Sequence, residues 1–209
     1  MFEQNNRIIQ KLNKAADLVI LSCMWLASCL PVITVGAACA SAYDAVIKII
    51  RQDSGQVFQT YWGAFGKNFR NTWLYTLLLS LLTAGLVFIA VRLWPIRFQF
   101  LGGIYFFMTC FFVLTVLIYA THLFALIGRF TLPPKTLAKV ALWMTFSKPG
   151  SNLLLAFVLL GCAWMVLTVW QLVFALPGLF FWFLTYLEEP AFHRFLNYPD
   201  DLEKKDDKA

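Results

Sequence analysis

Apolar residues in this chain come in long unbroken runs rather than in the alternations of a soluble fold. Trp73–Ala90, Gly102–Gly128 and Leu153–Leu187 each reach or exceed the roughly 18 residues that mark a membrane span. Between them lie short segments where apolar and basic positions repeat at helical spacing. Phe2–Lys14 sets Phe2, Ile8, Ile9 and Leu12 against Arg7, Gln10 and Lys11, the pattern of an amphipathic helix at a membrane surface. Val57–Arg70 places Phe58, Tyr61, Trp62, Phe65 and Phe69 on one face and reads as an aromatic, basic elbow. Lys135–Lys148 repeats that pattern at an offset of 81 residues, matching Trp62 with Trp143, Phe65 with Phe146 and Lys67 with Lys148.

Breaks in the runs set the helix ends. Pro31 removes a helical hydrogen bond and disfavours the helix at Leu30. The stretch Leu30-Pro31-Val32-Ile33-Thr34-Val35-Gly36-Ala37-Ala38 is therefore a hairpin tip between helices expected at Ala15–Leu30 and Thr34–Arg51. Further helices are expected at Thr72–Leu93, Phe100–Gly128, Ser151–Val173 and Pro177–Leu196, with a tip at Pro177-Gly178. The fold class is all-α: a polytopic bundle of six helices in three hairpins, with two elbow helices, in one domain over 1–196. Residues 197–209 form a charged tail without apolar periodicity, expected to be disordered.

Charge weighs this arrangement against one of five spans in which 17–43 cross as a single helix. With six helices, fifteen Lys and Arg residues fall on the side of both termini and two, Arg92 and Arg97, on the other. Five spans would give twelve against five. The positive-inside rule favours six, with both termini in the cytoplasm of a multi-pass cell-membrane protein.

Composition agrees. Hydrophobic residues make up 60% and charged residues 13%, against about 25% charged in soluble domains. A net charge of +6 that flanks apolar runs suits topology and anionic headgroups, and nucleic acid is not expected as a partner. Cys23, Cys29, Cys39, Cys110 and Cys162 sit in apolar runs without a C-x-x-C pair and read as buried small hydrophobes. Leu26-Ala27-Ser28-Cys29 is similar to a lipoprotein cleavage site, but the apolar character that resumes after Pro31 argues against processing.

Chemistry is sparse. No Walker A loop, nucleophile elbow, H-E-x-x-H or zinc pattern occurs, so neither catalytic residues nor cofactors are expected. Glu189 and His193 have an i,i+4 spacing that could supply two metal ligands, but no third stands nearby, and no metal site is expected. His122, inside an apolar run, is either a hydrogen-bonded packing residue or a proton or substrate contact. Asp44 is either an interfacial partner of Lys48 or part of a polar groove with Thr34, Ser41 and Tyr43. Gly36, Ala37, Ala40, Ser41 and Ala45 make small-residue faces for close helix packing, within the chain or against another protein. Thr34, Gly36, Ser41, Tyr43, Asp44 and His122 are thus the candidate ligand or partner contacts.

Leu18–Tyr43, with Trp25, the tip stretch and Ala42-Tyr43, resembles the YesL-like family of bacterial polytopic membrane proteins. Phe58, Phe65, Lys67, Asn68 and Phe69 resemble that family's elbow, whereas Asp44 departs from its pattern. The resemblance implies a non-enzymatic accessory protein linked to carbohydrate uptake, with an ABC-type sugar importer as partner. A small transporter or channel is the alternative, and a homo-oligomer is open.

Overall fold

The computed structural model describes residues 2–52, 56–147 and 149–196. Every regular element among them is helical: α1 (Phe2–Ser28), α2 (Val35–Gln52), α3 (Val57–Leu93), α4 (Phe100–Arg129), α5 (Pro134–Ser147), α6 (Pro149–Thr168) and α7 (Leu176–Leu196), with short 3-10 turns at Val32–Thr34, Trp94–Ile96 and Trp170–Phe174. Four segments are long and apolar enough to cross a membrane: Val32–Ile49, Val57–Ile96, Phe100–Arg129 and Pro149–Thr168. The helices α1 and α7 fall outside that set.

Three expectations need correcting. The first elbow is not a separate helix; Val57 to Leu93 is continuous. No proline or glycine lies between Lys67 and Gly85 to break it. The polar residues at the expected junction also support it, since Thr72 Oγ1 donates to Asn68 O at 2.9 Å and Thr76 Oγ1 to Thr72 O at 2.8 Å. The amphipathic start and first span likewise form one helix, Phe2–Ser28. The fifth expected helix stops at Thr168 rather than Val173, giving way to a 3-10 turn. The second elbow is a helix of its own, α5. The charged tail and Lys148 lie outside the described residues.

The organising helix is α2, which packs against α1, α3, α4 and α7. Its small residues allow this. Ala37, Ala38, Ala40, Ser41, Ala42 and Ala45 are fully buried, and a Cβ on Gly36 would collide with Thr76 Oγ1 and the Phe124 ring. Opposite, a Cβ on Gly128 would collide with the carbonyl oxygen of Ala40. The small-residue faces are therefore spent inside the chain. Asn68 Nδ2 donates to Ser41 Oγ at 3.3 Å and Ser41 Oγ donates to Ala37 O at 2.6 Å, a polar seam between α2 and α3. At the other edge of the bundle, Ser22 Oγ accepts the Gly178 N–H at 2.8 Å, satisfying a first-turn donor of α7.

The contacts of Gly36 also show where α2 stops covering its neighbours. From Thr76, α3 runs on to Leu93 for about 26 Å, and α4 begins about 36 Å before Phe124, at 1.5 Å per residue. This α3–α4 arm is sheathed in exposed apolar side chains, among them Leu78, Leu81, Phe88, Phe107 and Phe111. Its far end carries Trp94 and Arg97, the guanidinium lying 3.6 Å from the indole centroid. Trp and Arg are residue types enriched where apolar helices meet a membrane–water interface.

Candidate functional site: a buried polar junction

Apolar packing alone would leave α4, α6 and α7 free to slide. A polar junction fixes them. His122 of α4 is 3% exposed. Its Nδ1 lies 2.7 Å from Glu188 Oε1 of α7, and its Nε2 lies 2.8 Å from Asn152 Oδ1 of α6. Asn152 Nδ2 in turn donates to Thr145 O at 2.5 Å and Met144 O at 3.3 Å. Those carbonyls belong to the last turn of α5, where helix acceptors lack intrahelical donors.

The orientation of the Asn152 amide constrains the His122 tautomer. The Asn152 amide must turn its NH2 toward the two α5 carbonyls, which leaves its oxygen facing His122. Nε2 must then carry a hydrogen and donate. The imidazole and the Glu188 carboxyl face each other across the 2.7 Å Nδ1–Oε1 contact. Glu188 Oε2 is buried with no hydrogen-bond partner among the described residues.

A second contact lies two turns along. Arg129 Nε is 3.3 Å from Glu189 Oε1, with both side chains mostly buried. His122 and Arg129 are seven residues apart and share one face of α4, so adjacent acids of α7 meet both. The helices α4 and α7 are joined by these side chains rather than by close backbone packing.

The other residues singled out from sequence are not brought together. Thr34 Oγ1 sits in the α1–α2 turn and donates to Ser28 O and Pro31 O, both at 2.6 Å. Gly36 and Ser41 face α3 and α4. Tyr43 is fully buried, its ring 6.2 Å from that of Phe192 on α7. Asp44 Oδ2 pairs with Lys48 Nζ at 3.0 Å. Lys48 is partly exposed but Asp44 is largely buried, so the ion pair is set against the cost of burying the carboxylate, and Asp44→Asn is expected to change stability by less than about 1 kcal/mol. A thermal melt of the purified variant measures this, and a loss well above that figure would mean that Asp44 has a further buried partner.

Among the described residues no group of three His, Cys, Asp or Glu side chains could hold a metal. The His193 side chain lies outside them, so its spacing to Glu189 has no described geometry. All five cysteines are free. Sequence reading found His122 but not its partners Asn152 and Glu188.

Against known proteins, residues 18–90 match the model of DUF624, a protein family of unknown function. The match covers α1 from Leu18, the hairpin tip, α2 and most of α3. No curated protein and no solved structure matches the chain.

Proposed function

We propose that this is a non-enzymatic, multi-pass membrane protein that acts by docking laterally on another membrane protein. The observation that supports this reading is the α3–α4 arm. The small-residue faces that could have received a partner are consumed by internal packing, whereas the arm leaves the bundle and presents apolar surface on all sides. The family resemblance makes a carbohydrate importer of the ABC type the partner to test first.

The orientation that goes with this reading is three hairpins, α1–α2, α3–α4 and α6–α7, with both termini in the cytoplasm and the arm's tip outside. Reporters fused at Met1 and Ala209 are expected on one side, and a reporter in the Arg97–Gln99 turn on the other. An N-terminal reporter found outside the cell would favour five spans.

A second reading is a small transporter, and Glu188 Oε2, buried without a hydrogen-bond partner among the described residues, favours it. Purification in mild detergent followed by mass spectrometry separates the two. Docking predicts a stoichiometric membrane-protein partner. A homo-oligomer that alone moves solute across vesicle membranes would support transport and overturn docking.

A further inference from the structure

Beside the junction lies a cavity of about 710 Å³, walled by α1, α2, α4, α6 and α7. We propose that it is a binding site for one hydrocarbon chain of a membrane lipid.

Its walls decide the chemistry. Leu117, Leu159, Ala163, Phe181 and Leu184 are representative, and nearly all the lining surface is carbon. The Thr121 hydroxyl is spent on the carbonyls of Leu117 and Ile118, at 2.8 and 2.9 Å. A sugar or ion placed here would lose its water without gaining partners, at roughly 2–7 kcal/mol for each bare hydroxyl. The volume falls in the range of about 300–1,000 Å³ occupied by bound small molecules. A close-packed bundle does not sustain an empty space of that size, and apolar cavities exclude water.

Its mouth decides the source. Two lining residues, Leu117 on α4 and Leu167 on α6, are themselves exposed, Leu167 by 83%. Both lie in segments long and apolar enough to cross the membrane, Phe100–Arg129 and Pro149–Thr168. Neighbouring Leu160, Trp164 and Met165 are exposed as well. The cavity is thus continuous with the surface that faces lipid, and a chain can enter sideways from the bilayer without crossing water. This inference does not depend on the docking reading.

The test uses the full chain in phosphatidylcholine vesicles that contain a diazirine-bearing acyl chain. After illumination, label is expected on 117–125, 159–167 and 176–184 well above its level on the exposed arm residues Leu81 and Phe107. Ala120→Phe and Ala163→Phe, which fill the cavity, are expected to lower cavity labelling about tenfold while arm labelling is unchanged. Either variant serves if the other fails to give a monodisperse protein. Equal labelling of arm and cavity, or cavity labelling that survives filling, overturns the proposal in favour of ordinary boundary lipid.

Discussion

Glu188→Leu is expected to lower stability by about 3 kcal/mol or more, the usual effect of removing one partner of a buried ion pair. The reason lies in what remains. His122 would keep Asn152 at Nε2 but lose the carboxylate at Nδ1, and α7 would lose a polar tie to α4. For a chain of this length the loss corresponds to a drop in melting temperature of roughly 6–12 °C. Glu188→Gln, which keeps the shape but cannot hold the negative charge, is expected to fall between. The double change His122→Leu with Glu188→Leu should recover part of the loss, because the buried imidazole is no longer stranded and only the neutral Asn152 Oδ1 loses its partner. A single change costing under about 1 kcal/mol would show that the junction does not hold the bundle together.

Gly128→Leu is expected to be as damaging for a different reason. Gly128 meets the backbone of α2 at Ala40, so a new side chain has no flexible neighbour to push aside. Overpacking against side chains costs about 1–3 kcal/mol, and a rigid carbonyl should place this change at or above the upper end. The expected outcome is loss of monodisperse protein, with Gly128→Ala impaired but measurable. Gly85 is the control: it lies on the arm with open space around its Cβ position, and Gly85→Ala should raise stability by about 0.5–1 kcal/mol. Equal tolerance at both positions would mean that α2 and α4 are not in backbone contact.

These two sites differ in how far the sequence announced them. The run from Gly36 to Ala45 signals close helix approach by composition alone, and its internal use became visible only with the helices of the same chain around it. Helix existence follows from apolar runs and prolines, so α2, α4, α5 and α7 lie within a few residues of expectation. The junction between the first elbow and the third helix was misread because polar residues suggested an interface. Asn68, Thr72 and Thr76 instead turn inward and bond within α3 or to Ser41. The polar junction was legible in part. His122 and Arg129 share a face of an apolar helix, and Glu188 and Glu189 sit on another. Charges at membrane depth must find partners, a signal that could have paired the two helices. Asn152 carried no such signal, because its role depends on where α5 ends.

Site-specific photo-crosslinking from the arm tests the docking account most directly. A photoreactive amino acid at Phe107 or Leu81, in the full chain expressed in its native cells, is expected to yield one discrete covalent adduct with another membrane protein. The same group at buried Leu123 should yield none. Labelling at Phe107 and Leu81 that recovers only lipid, with no protein adduct, would contradict lateral docking through the α3–α4 arm.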